Sequence, residues 1–284
     1  MSQPFVSTAW LEEHLNDPEL VVVDGSWYLP TLNRDPGAEY LAGHIPGAVR
    51  FDIDTVKDHA SSLPHMLPSP EDFAAAVGAI GIGNTTRVVI YDGAGLRSAP
   101  RVRWTFKVFG VRDVVILEGG FPAWKAEGRP VETGAERPRE PRVFTPNFDR
   151  SAVADAGRVH ELLTSGEAQV VDARPADRFR GEGTEPRPGL RNGHMPGSLN
   201  VPFEEVLDGG RLKDPASLRE TFQRSGVDLN RPIVTSCGSG VTAAILSLAL
   251  ETIGCPAQSL FDGSWSEWGA REDLPIETGP ARRT

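Results

Sequence analysis

Only two cysteines, Cys237 and Cys255, occur in the 284 residues, so neither a disulfide framework nor a thiol-based structural zinc site is available. Basic residues are also in the minority: 29 Lys and Arg stand against 39 Asp and Glu, a formal net charge of -10 at pH 7. Nucleic acid and anionic membrane surfaces both call for a basic face, and neither is expected as a partner. No run approaches the roughly 18 apolar residues of a membrane span. The opening MSQPFVSTAWLEEHLNDPELVVVD has neither the basic segment nor the unbroken apolar stretch of a secretory signal. A cytoplasmic protein is the expectation, in a reducing compartment where a free thiol persists.

What is present is ordinary globular material, 39% hydrophobic and 24% charged, at a length that suits two domains. The chain repeats itself. Gly43-His44-Ile45-Pro46-Gly47-Ala48 returns as Gly193-His194-Met195-Pro196-Gly197-Ser198. Upstream of each copy a β-branched run closes on an acid, Val21-Val22-Val23-Asp24 and Val170-Val171-Asp172, and reads as a buried strand. Downstream, Ser69-Pro70 and Asp214-Pro215 each supply a side-chain cap followed by proline at the first helical position. A second strand follows, Arg87 to Tyr91 in one half and Pro232 to Ser236 in the other. The match ends in Gly119-Gly120-Phe121-Pro122-Ala123-Trp124 against Gly263-Ser264-Trp265-Ser266-Glu267-Trp268. Alternating strands and helices predict an α/β fold in both halves, with mostly parallel sheets flanked by helices. The expected domains are residues 1–131 and 151–284, joined by the Pro-rich, charged segment 132–150.

The halves differ after the second strand, where the first has Asp92-Gly93-Ala94-Gly95 and the second Cys237-Gly238-Ser239-Gly240-Val241-Thr242. Only the second offers a nucleophile. It stands at the carboxyl end of a parallel strand, where open α/β sheets bind ligands, with an apolar helix expected from Thr242 to Ile253. Gly238 and Gly240 let successive N–H groups turn inward, and the helix start adds its positive end, an environment that favours a thiolate. Cys255, between Gly254 and Pro256 at that helix's far end, has no such surroundings and is expected to be structural. His44 and His194 occur in both halves and are expected to hold turns, and Trp265 and Trp268 to line the core.

The tandem repeat, the GH(I/M)PG segments, the CGSGVTA loop and the GSWSEW segment together resemble the two-domain rhodanese-like sulfurtransferases, over essentially the whole chain. Within them the loop is similar to that of the enzymes acting on 3-mercaptopyruvate. Those acting on thiosulfate usually carry Arg and Lys directly after the cysteine, where this chain has Gly238 and Ser239. The resemblance implies a non-catalytic first domain and a catalytic second one, with Cys237 taking sulfur as a persulfide. It places substrate-carboxylate arginines at Arg178 and Arg187 and groups the loop residues Gly238, Gly240, Val241 and Thr242 around the sulfur. It further pairs Asp54 and His65 with the hydroxyl of Ser239 as a proton relay. The implied acceptors are thiols, thioredoxin among them, or cyanide, with no metal or organic cofactor. Three rivals stand beside this reading. A thiosulfate sulfurtransferase would differ only in donor. A cysteine phosphatase would need one more loop residue and an arginine six positions after the nucleophile, where Ala243 stands. A binding module would have lost turnover.

Overall fold

The run Leu20–Asp24 is buried along its whole length, as a strand with helices over both faces must be. In the computed structural model, which describes residues 4–255 and 258–281, it is the second strand of the first of two compact units. That unit comprises the chain up to His59, Leu67–Asp149 and Gly209–Arg211. The other comprises Ala60–Met66, Arg150–Asp208 and Leu212 onward.

The first unit runs β1 (Phe5–Val6), α1 (Thr8–His14), β2 (Leu20–Asp24), α2 (Pro36–Ala42), β3 (Val49–Arg50), α3 (Pro70–Ala79), β4 (Arg87–Tyr91), α4 (Ala99–Val108), β5 (Val114–Leu117) and α5 (Gly120–Ala126). From residue 150 the chain runs β6 (Val153–Ala154), α6 (Ala156–Ser165), β7 (Gln169–Asp172), α7 (Ala176–Arg180), β8 (Leu199–Asn200), a small ribbon of β9 (Leu207–Asp208) and β10 (Arg211–Leu212), α8 (Pro215–Arg224), β11 (Ile233–Ser236), α9 (Ala243–Thr252), β12 (Gln258–Phe261) and α10 (Ser264–Trp268). The sheet orders are β1-β5-β4-β2-β3 and β6-β12-β11-β7-β8. Every pairing in both is parallel. Strand by strand these are one topology used twice, the α/β architecture that the repeat predicts.

Strand alternation distributes the core. Leu20, Val22, Val89 and Tyr91 pack with Leu11 of α1, Tyr40 of α2 and Trp124 of α5 on one face. Ile90 points the other way toward Val102 of α4. There Phe73 of α3 stacks on Phe109 at 4.3 Å and meets Phe106 and Phe51 edge-on. In the second unit Val170, Val234 and Phe261 join α6, Trp265 and Trp268 on one face, and Thr235 bonds Ser247 of α9 on the other at 2.7 Å. The anticipated caps are in place: Ser69 accepts from Asp72 N–H, and Asp214 accepts from Ala216 and Ser217 N–H.

Of residues 132–150, expected to link two domains, 132–149 lie along the first unit. Arg142 N–H bonds Gly78 O at 2.9 Å, so close that a Cβ on Gly78 would stand 2.5 Å from the Arg142 carbonyl. Phe144 is buried against Phe73. The segment carrying His65 belongs to the second unit although it precedes most of the first in sequence. Both differences arise from a few apolar or hydrogen-bonded residues inside stretches whose proline and charge suggest only surface.

The two GH(I/M)PG turns are built alike. His44 stacks on Tyr40 at 3.9 Å and bonds its carbonyl through Nδ1; His194 stacks on Phe179 at 3.9 Å and bonds the Phe179 carbonyl. Each backbone bridges a returning strand residue, Glu132 or Glu277. Both histidines are buried parts of the scaffold. Burial lowers the pKa of His194 below its ordinary 6.5, outweighing its bond to the Phe179 carbonyl and the upward pull of Glu277. Below that pH the unfolded chain takes up a proton that the folded chain refuses, so stability falls as pH falls. Unfolding titrations at about pH 7.5 and about pH 5.5 should show a smaller loss for His194→Gln than for the unsubstituted protein. An equal loss in both would place the titrating group elsewhere.

Candidate functional site

β11 ends at Ser236 and α9 begins at Ala243, leaving a loop with Cys237 at its head, only 2% exposed. The start of α10 shapes this loop. Cys237 N–H donates to Ser264 Oγ at 3.2 Å, and that hydroxyl donates to Phe261 O at 2.8 Å. Cys237 O accepts from Trp265 N–H, and Gly238 O accepts both the N–H and the hydroxyl of Ser266. Ser264 sits in the left-handed region at φ 48°, a conformation that costs energy outside glycine and persists because these bonds over-determine it. With two carbonyls tied to α10, the loop's remaining backbone winds through Gly240, φ 78°, into the Thr242 cap.

Two guanidiniums converge on the loop. A Cβ placed on Gly238 would stand 3.2 Å from Arg178 Nη2 and 3.9 Å from Arg187 Nη1. Arg187 Nη2 lies 3.2 Å from the buried hydroxyl of Ser239 and 3.4 Å from His65 Nε2. His65 is itself buried and left-handed at φ 61°. Arg178 rides on the short helix α7 beside Phe179 and donates through Nη2 to Glu185 Oε2 at 2.6 Å. Glu185 Oε1 accepts from Arg174 Nη1 at 2.9 Å, and Arg174 in turn pairs with Asp172 at 2.7 Å. This chain of alternating charges is almost wholly inside the protein. Burial alone would lower the Arg174 pKa, but Asp172 and Glu185 together hold it above its ordinary value. Trp265 covers the Arg174 guanidinium at 4.2 Å. The assembly therefore offers a thiol at a strand end, two cations beside it for an anionic ligand, and a hydroxyl and imidazole for a proton.

The matching place in the first unit is closed. Asp92, fully buried, accepts through Oδ2 from the N–H groups of Arg97, Ser98 and Ala99 and through Oδ1 from Ala94 N–H, at 2.7 to 2.9 Å. Its own carboxylate fills the ring of amides. The neighbouring charges are reversed: Glu39, which precedes Tyr40 as Arg178 precedes Phe179, pairs with Arg34 at 2.6 Å. Arg34 lies over Tyr28 and reaches Gly93 O.

Of the residues singled out from sequence, the second unit brings together Cys237, Gly238, Ser239, Gly240, Val241, Thr242, Arg178, Arg187 and His65. Asp54 belongs to the first unit, where its carboxylate accepts from Trp27 Nε1 at 2.7 Å. Glu185, Arg174, Ser264 and Ser266 were not anticipated. The one available signal for Glu185 was its place between Arg178 and Arg187 in the chain. Trp265 and Trp268 are core residues. Cys255 is buried near Leu229 O, and burial pushes its thiol pKa up, which keeps it protonated. Among the described residues no group of three or more His, Cys, Asp or Glu is placed to hold a metal ion, and no helix is long and apolar enough to cross a membrane.

Comparison with known proteins shows the family. The rhodanese-like domain profile matches residues 7–127 and again 155–271. The 3-mercaptopyruvate sulfurtransferase of Escherichia coli K12 is 48% identical over 276 residues, 96% of this chain and 97% of that protein. The rat protein of the same name is 45% identical over 94% of this chain and 92% of its own. The crystal structure of the 3-mercaptopyruvate sulfotransferase SseA from Escherichia coli superposes with a TM-score of 0.86 at 43% identity, covering 93% of this chain and 99% of that one.

The filled ring in the first unit makes a testable statement about stability. Asp92→Ala strands several buried N–H groups and should cost about 3 kcal/mol in urea unfolding. The rate at which the folded protein's Cys237 is alkylated should not change, and a loss below about 1 kcal/mol would mean that water replaces the carboxylate.

Proposed function

The chain belongs to the rhodanese-like family, and on that premise we propose that it is a sulfurtransferase taking sulfur from 3-mercaptopyruvate onto Cys237 and passing it to a thiol or cyanide. The observation that carries this reading is the convergence of Arg178 and Arg187 on Gly238, one residue from the thiol. Two forked guanidiniums suit a ligand with adjacent carboxylate and carbonyl oxygens. They also argue against the cationic residues expected after the cysteine for thiosulfate, since a cation at position 238 would press against Arg178.

In the proposed reaction the Cys237 thiolate attacks the donor's sulfur. A sulfur–sulfur bond forms, the donor's carbon–sulfur bond breaks, and its electron pair passes to carbon as the enolate of pyruvate. The proton on the transferred sulfur moves to that carbon, leaving a deprotonated persulfide and pyruvate. Ser239, two residues after Cys237, supplies a hydroxyl for this transfer. Arg187 Nη2 donates to its oxygen, which leaves the Ser239 proton to point elsewhere, and the same Nη2 lies 3.4 Å from His65 Nε2. This path uses groups of the second unit only and assigns no step to Asp54. Loop amides and the start of α9 stabilise the outer sulfur's charge. An acceptor thiolate, that of thioredoxin or a small thiol, then attacks the outer sulfur and restores Cys237. A reducing cytoplasm supplies such thiols and keeps Cys237 free.

Reduced protein mixed separately with 3-mercaptopyruvate and thiosulfate should release pyruvate from the first and gain one sulfur on the Cys237 peptide, much faster than it gains sulfur from thiosulfate. Cys237→Ser should do neither. Sulfur arriving mainly from thiosulfate would overturn the donor, and no sulfur from either would leave a binding module. Arg178→Gly should raise the KM for 3-mercaptopyruvate at least about tenfold, the loss of one charge-assisted pair. An unchanged KM would remove Arg178 from the site.

A further inference from the structure

Glu185 touches neither the loop nor the space above Gly238, yet it governs the charge found there. Its Oε2 accepts from Arg178 Nη2 at 2.6 Å, and its Oε1 lies 3.4 Å from Arg178 Nε, so one edge of the guanidinium is taken before any ligand arrives. Its second partner, Arg174, already has the Asp172 carboxylate, so the negative charge of Glu185 falls chiefly on Arg178. The Glu185 side chain is 4% exposed and that of Arg178 16%, which leaves little water to screen the pair. Arg178 thus presents hydrogen-bond donors to the mouth of the loop with much of its positive charge answered from behind.

Hydrogen bonds and charge act differently on different donors. Attraction to a positive site scales with the ligand's charge, whereas donor geometry serves any oxygen-bearing anion. Lowering the positive potential at the mouth therefore handicaps a dianion twice as much as a monoanion. We infer that Glu185 is a specificity-determining, positioning residue that tunes Arg178 for a monocarboxylate sulfur donor and against a dianionic one. The inference rests on the proposed sulfurtransferase reading and adds the basis of its donor choice. It also complements the neutral Gly238 and Ser239: the loop adds no cation, and Glu185 discounts one already present.

The test is the ratio of kcat/KM for persulfide formation on Cys237 from thiosulfate to that from 3-mercaptopyruvate, measured in the unsubstituted protein, Glu185→Gln and Glu185→Asp. Removing one full charge from behind Arg178 should raise the ratio about tenfold in Glu185→Gln. The shift should come mainly through the KM for thiosulfate and should shrink at high salt. Glu185→Asp keeps the charge on a shorter arm and should keep the original ratio even where both rates fall. A merely structural role would lower both rates in Glu185→Gln and leave the ratio alone, and that result overturns the inference. A ratio that rises equally in Glu185→Asp overturns it as well, because the charge would then not be the cause. Failure of the unsubstituted protein to release pyruvate would instead overturn the functional reading beneath it.

Discussion

Backbone N–H groups at the carboxyl end of a buried parallel strand must find an acceptor, because water cannot reach them freely and the strand's neighbours are already paired. The chain meets this demand twice in the same topology. After β4 the acceptor is permanent, the Asp92 carboxylate with four amide partners. After β11 a cysteine stands at the same place, so in the proposed reaction the acceptor is one that chemistry makes and removes. On that reading the thiolate, and after it the persulfide, are the anions that take the place of the Asp92 carboxylate. The tie of the Cys237 and Gly238 carbonyls to Trp265 and Ser266 is part of the same constraint, since an inward-facing carbonyl would repel either species.

Around that shared centre the two units place charge in opposite senses. The residue before the aromatic partner of the turn histidine is Glu39 in one and Arg178 in the other, and each has found a counter-ion, Arg34 or Glu185. Nothing in the helix or the turn requires this reversal, because the stacking of Tyr40 on His44 and of Phe179 on His194 is the same to within a few degrees of tilt, 5° and 9°. The scaffold is indifferent to the polarity, and the ligand is not. A guanidinium faces the glycine after the strand in both units, Arg34 beside Gly93 and Arg178 beside Gly238, but in the first unit the Asp92 carboxylate already fills the ring of amides.

How much of this could be read from the chain follows from the range of each interaction. Capping residues, β-branched strand runs and the GH(I/M)PG turns act within a few residues of themselves, and the matched helix starts at Pro70 and Pro215 and the shared α/β fold of the two halves were visible on that basis. Cys237 was visible because its loop differs from an otherwise faithful copy. Glu185 was not, since a glutamate in a Gly- and Pro-rich stretch looks solvated until the fold carries it against Arg174. Ser264 shapes the loop from beyond β12, and its left-handed backbone has no sequence mark. His65 joins the second unit from the first half of the chain, and Phe144 buries itself from a segment that reads as exposed linker. Each of these depends on a long-range contact that local pattern does not encode.

The buried run Asp172, Arg174, Glu185 and Arg178 is the costliest of those contacts. Taking charges out of water is expensive, and a buried ion pair seldom repays its desolvation better than apolar residues of the same volume would. The first unit shows that the fold can do without it: at the end of β2, Asp24 has Ser26 two residues on where the second unit has Arg174, and burial pushes the Asp24 carboxyl pKa up against the bond from Ser26. In the second unit Asp172, Arg174, Glu185 and Arg178 instead meet one another in ion pairs. A network that stability does not require and that ends at the mouth of the Cys237 loop is best explained by what it holds there, an arginine fixed in place and reduced in charge.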